Sequence, residues 1–167
     1  LNPDLIIAGS LSNPSEIKKL KKLGLNIRTF REPSGFKELA SQFIELGELL
    51  GRKKKAEKIL KTAKEKVTVI TNKKNPVPKP KVLVQLGINP LFAATGKSFV
   101  NDYITLAGGI NIAEKAKSGL YSMERVIKDN PDVIVIADMG IEGETEILRW
   151  NKYQSINAVR DGDLDEG

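Results

Sequence analysis

One phrase occurs twice. Residues 2–8 read NPDLIIA and residues 130–136 read NPDVIVI. In each, a proline that cannot donate a backbone hydrogen bond stands before a short, uninterrupted apolar run. An alternating pattern would mark a sheet with one wet face. An unbroken run marks a strand buried on both faces, as in parallel sheets covered by helices. Proline at the entrance is compatible with such a strand and proline inside it is not. The chain must therefore build parallel, helix-covered sheet at two places far apart in sequence.

The residues after the first copy fit such a sheet. Residues 13–24, NPSEIKKLKKLG, place Pro14 early in a helix, apolar Ile17, Leu20 and Leu23 at helical spacing, and Gly24 as the stop. Residues 25–30, LNIRTF, read as a second strand, and strand–helix–strand with short links is a parallel α/β unit. The second copy is preceded by its own helix, MERVIKD at 123–129, with Ser122 as N-cap. Asn130 must leave helical geometry because it precedes Pro131. The first copy has no such helix before it. We therefore expect the N-terminal lobe to be incomplete and the chain to start within a unit.

Between the copies the period changes. Phe36, Leu39, Ala40, Phe43, Leu46, Leu49 and Leu50 form one helical face, and Gly51 interrupts it. A lysine-studded helix then runs from about Arg52 to Lys73, roughly 33 Å at the standard rise. Residues 72–81, NKKNPVPKPK, end it in a proline-rich linker. The layout predicts three parts: an α/β remnant over 1–34, a helical segment over 35–80, and a C-terminal α/β lobe over 81–167. In the last part, KVLVQLG at 81–87 reads as a strand. INPLFAATGK comes next as a loop, and SFVNDYITLA as a helix stopped by Gly108-Gly109. A further helix is expected around ETEILRW and a weak strand near NAVRDGDL.

Net charge is +6, much of it in GRKKKAEKILKTAKEK. Ala56, Ile59, Leu60, Ala63 and Val67 fall between these lysines at helical spacing, so the run reads as the solvated face of an amphipathic helix. No aromatic interleaves the charges to stack on bases, and we expect no nucleic-acid partner. No apolar run is long enough to span a membrane. The chain has no Cys and no His. Thiolate chemistry, the usual zinc sites and the common Ser-His or Cys-His nucleophiles are excluded on it. TGKS at 95–98 resembles the end of a phosphate loop, but Leu91 stands where that motif requires its first glycine.

On LNPDLIIAG, GRKKKAEKIL, VLVQLGINPLFAATGKSFVNDYITLAGGINIA and YSMERVIKDNPDVIVI, the chain resembles the helical-backbone (class III) substrate-binding proteins of ABC importers. QLGINPLF is similar to the cobalamin-binding branch, although that branch often has an aromatic where this chain has Ser10. The resemblance implies two α/β lobes joined by one long helix, the N-terminal one incomplete here. It implies an extracytoplasmic location, periplasmic or lipid-anchored at the outer face of the cytoplasmic membrane. It also implies a ferric siderophore, haem or cobalamin as ligand, an importer permease as partner, no cofactor or metal of the protein's own, and no catalysis.

Ligands of parallel sheets bind at the carboxyl ends of strands. The corresponding loops here contain Ser10 and Leu11, then Asn89, Pro90 and Phe92, then the stretch ending at Tyr121, and Met139. Phe92 and Tyr121 are expected to face one cleft, on the side where Ser10 lies, as apolar walls for a large flat ligand. Phe92 reads equally as a core residue beneath its loop. The resemblance assigns Glu124 to docking on the permease. A carboxylate in the first turn of a helix is also favourable with the helix dipole, and both can hold together. A monomer is expected. Two other readings stay open: a small Rossmann-type nucleotide-binding enzyme, for which GSLSNPSE lacks the glycine loop, and a folded fragment without binding activity.

Overall fold

The structure is a computed structural model and describes residues 3–73, 78–137 and 143–166. Strand β1 (Ile6–Ala8), helix α1 (Pro14–Lys22) and strand β2 (Ile27–Thr29) form the expected parallel unit, with Ile6 opposite Ile27 and Ala8 opposite Thr29. The Asn13 side chain accepts from the Ser15 amide at 2.9 Å, Glu16 sits in the first turn, and three lysines occupy the last. Gly24, at φ 81°, ends the helix in the left-handed region. The buried strand expected here is only partly so: Ala8 is covered but Ile7 is 50% exposed. Among the described residues β1 pairs with β2 alone, and two strands cannot cover both of their own faces.

Helices α2 (Phe36–Leu49) and α3 (Lys53–Thr71) fold back on one another through Gly51, at φ 63°. Near that turn Gly47 lies against Ala56, so close that a Cβ on Gly47 would stand 2.6 Å from the alanine methyl. α3 has 19 residues, about 28 Å, close to the expected length.

The C-terminal sheet is built on β3 (Lys81–Gly87), the strand expected there, residue for residue. One edge of β3 is shared by two short strands. β4 (Phe92–Ala93) pairs antiparallel near its carboxyl end, and β5 (Ile110–Asn111) parallel at its start. On the other edge β6 (Val133–Ile136) and β7 (Leu164–Glu166) follow, both parallel. Helices α4 (Val100–Leu106), α5 (Met123–Asp129), α6 (Gly143–Trp150) and α7 (Asn157–Asp161) connect them. Leu83, Val126, Ile134, Ile136, Trp150 and Ile156 make the core. The strand expected near NAVRDGDL is a correction: 157–161 is helical, and the strand begins only after Gly162, whose φ of 81° ends α7.

The second Asn-Pro-Asp phrase is a clamp. Asn130 adopts a left-handed conformation (φ 46°) that lets its side chain bond Asn157 in both directions, at 2.8 and 3.1 Å. Asp132 accepts from the Asn157 side chain at 2.9 Å and from the Lys81 amide at 2.8 Å. Those bonds hold its carboxyl below the usual carboxylate range. The phrase thus ties the starts of β3, β6 and α7 together. The helical pair is joined to this lobe by Asp102 of α4, which accepts from the Phe36 amide at 2.6 Å and caps α2 from outside.

Candidate functional site

The loop leaving the carboxyl end of β3 carries Asn89 and Pro90, both exposed and joined by a cis peptide, and returns through Leu91 into β4. Phe92 opens β4 and is 42% exposed, so it is not a core residue beneath the loop. Its ring lies over Gly119, where any Cβ would overlap it. Residues 119–121 run alongside 91–93. The Ala93 amide donates to the Gly119 carbonyl at 2.7 Å and the Tyr121 amide to the Leu91 carbonyl at 3.1 Å, with Phe92 opposite Leu120.

That short ladder corrects the expectation for Tyr121. Neighbouring residues of an extended chain point to opposite sides. Leu120, 57% exposed, faces out as Phe92 does, while Tyr121, 5% exposed, is packed in the core. The Tyr121 hydroxyl donates to Asp129 Oδ2 at 2.5 Å and stands 3.1 Å from the Ile112 carbonyl, and the Arg125 guanidinium lies 4.5 Å above its ring. Burial first, and the Asp129 carboxylate second, push its phenol well above the usual value, so it stays neutral. The exposed apolar pair is Phe92 and Leu120. Reading 119–122 as extended would have revealed the alternation.

Ser10 and Leu11 are exposed on a tight turn after β1, where the Ser12 amide donates to the Gly9 carbonyl at 3.1 Å. No hydrogen bond among the described residues joins that turn to the β3 loop. Met139 lies outside the described residues. Glu124 sits where expected, exposed in the first turn of α5, whose N-cap Ser122 accepts from the Arg125 amide. Its own backbone amide, then the Ser122 hydroxyl, hold the Glu124 carboxyl below its ordinary value, so it is charged at neutral pH.

A broad open groove of about 950 Å³ lies elsewhere, between β2 and α2. Both of its arginines are paired, Arg28 with Glu45 and Arg31 with Glu38, while Lys21 and Lys37 also line it. Among the described residues no group of three or more acidic side chains is placed to hold a metal.

Residues 1–165 match the periplasmic binding protein family. The chain belongs to that family. A substrate-binding lipoprotein of an ABC transporter in Bacillus subtilis, itself uncharacterised, is 30% identical over 96% of this chain and 53% of its own length. The vitamin B12-binding protein of Yersinia pseudotuberculosis is 26% identical over 82% of this chain and 50% of its own. This member of the family thus spans about half the length of the curated relatives it matches. The crystal structure of a possible iron-binding, periplasmic solute-binding protein from Staphylococcus epidermidis superposes with a TM-score of 0.85 at 25% identity, over 98% of this chain and 67% of that one. The mainly parallel α/β architecture of this chain is the one that the Staphylococcus epidermidis protein has over the superposed region.

Proposed function

We propose that this chain is the cargo-holding part of an extracytoplasmic solute-binding protein that captures an iron chelate, haem or a corrinoid and hands it to an ABC importer permease. It would work in the periplasm or lipid-anchored at the outer face of the cytoplasmic membrane. The observation that carries this reading is the exposed apolar pair Phe92–Leu120 at the carboxyl end of β3, in a chain that matches the binding-protein family along nearly its whole length. An aromatic face fixed over a glycine suits a large flat ligand, which needs apolar walls and a few polar groups rather than a deep charged pocket. Asn89 and Pro90 supply the adjacent rim, and Ser10 and Leu11 supply the corresponding turn after β1. Glu124 supplies an exposed charge for docking, a kind of contact that acts chiefly on association rate and orientation. No catalytic group is assigned. None of the described helices is long and apolar enough to cross a membrane.

The test is an absorbance titration of the full-length protein with cyanocobalamin, hemin and a ferric catecholate complex. One of the three binds, and Phe92→Ala weakens it about tenfold while the melting transition stays cooperative, as truncation of an aromatic anchor does. Failure of all three to bind, or unchanged affinity in the Phe92→Ala protein, removes the reading. In the reconstituted importer, Glu124→Gln leaves ligand affinity alone and slows uptake in the way added salt does. Normal uptake by that variant would remove Glu124 from docking.

A further inference from the structure

The β3 loop is held from behind by a chain of polar side chains inside the core. Gln85, 1% exposed in the middle of β3, accepts from the indole N–H of Trp150 at 2.8 Å and donates to Glu146 Oε1 at 2.8 Å. Glu146 is itself buried, at 4% exposure, and its other oxygen lies 3.5 Å from Nη1 of Arg149. Nη2 of the same guanidinium donates to Asn89 Oδ1 at 3.2 Å. A buried carboxylate is costly unless its partners are fixed, so Gln85, Glu146 and Trp150 form a stiff anchor inside the lobe. Arg149, on the half-exposed side of α6, reaches from that anchor to the loop.

We propose that Arg149 is a positioning residue that braces the loop after β3 for ligand capture. This rests on the reading that the loop belongs to the ligand site. The planar guanidinium can serve two acceptors at once in fixed directions, Glu146 behind and Asn89 in front. A lysine in its place carries the same charge to Glu146 as a single point and has no second arm for Asn89.

The experiment measures amide hydrogen exchange in full-length protein, at Tyr121 and Ala93, whose N–H groups tie 119–121 to the loop. Arg149→Lys, Arg149→Ala and Asn89→Ala each raise exchange there about three- to tenfold, the range expected for one net hydrogen bond. Arg149→Lys keeps the melting temperature of the parent. The Arg149→Ala/Asn89→Ala double variant exchanges no faster than either single one, because both remove the same brace. Parent-like exchange in Arg149→Lys would reduce Arg149 to a counter-charge for Glu146 and overturn the proposal, as would additive effects in the double variant. Titration with cyanocobalamin and hemin separates the two readings. If the parent binds neither, the ligand assignment falls for these probes and the exchange data still decide the brace. If the parent binds and the loosened variants bind equally well, the brace has no part in capture and the proposal falls.

Discussion

The two Asn-Pro-Asp strands begin from nearly the same words and end in different surroundings. β6 pairs on both edges, with β3 and β7, and buries Ile134 and Ile136 in the core. Its aspartate and asparagine side chains clamp two other elements. Among the described residues β1 pairs on one edge only, leaves Ile7 half-exposed and keeps Asp4 at the surface, where its backbone carbonyl accepts from the Asn26 side chain at 3.3 Å. A local phrase thus specifies a strand and its entry turn. It does not specify how much of the strand is covered, because coverage comes from neighbours far away in sequence.

The largest effect should separate the two apolar runs. Ile134→Ala should cost about 3–4 kcal/mol, the sum of lost transfer and a cavity in a site with no slack. In this same chain Ile7→Ala should cost less than about 1 kcal/mol, since half of that side chain is exposed in it. Urea unfolding of the two variants measures the difference, and equal costs would mean that β1 is covered as well as β6.

The aspartates should differ next. Asp132→Ala strands the Lys81 amide and the Asn157 amide group and should cost about 1–2 kcal/mol. Asp4→Ala should stay within about 0.5 kcal/mol, as for an ordinary surface change. pH sharpens the contrast. The folded carboxyl of Asp132 titrates below its unfolded value, so its contribution is complete above about pH 4 and is lost as pH falls through the folded value. Stability curves of the parent and Asp132→Asn should converge as the solution is acidified, and parallel curves would show that Asp132 is not linked to folding.

The smallest effect probes the tie between the regions. Asp102→Ala removes the acceptor at the start of α2 and should cost about 1 kcal/mol, the usual value of a lost N-cap. Faster exchange at the amides of 36–39, with the β3–β6 amides unchanged, would confirm that the cap acts on the helical pair alone.

Legibility followed the range of the interactions involved. β3 and α5 were readable to the residue, because Ser122, Asn130-Pro131 and the apolar run 82–84 act over a few positions. β4 and β5 were not, since strands of two residues exist only through pairing with β3. At the candidate site, Phe92 and Asn89 stood out as loop residues after a strand end. Tyr121 was assigned to the cleft and Leu120 overlooked, because which of two neighbours faces inward depends on the ladder to Leu91 and Ala93. Arg149 and Glu146 gave no signal at all: they meet Asn89 and Gln85 across 60 and 61 residues of chain.

The amino-acid sequence by itself determined the strands β1, β2, β3 and β6, the main helices with their stops at Gly24 and Gly51, the long solvated helix, and a parallel α/β architecture of the binding-protein family. Those properties depend on backbone preference and on the period of apolar residues, which are local. Only the tertiary structure decided that Phe92 and Leu120 face outward together, that Tyr121 is a core residue, and that one arginine spans a buried carboxylate and a surface loop. Each of those depends on groups brought together by folding, and no spacing along the chain encodes them.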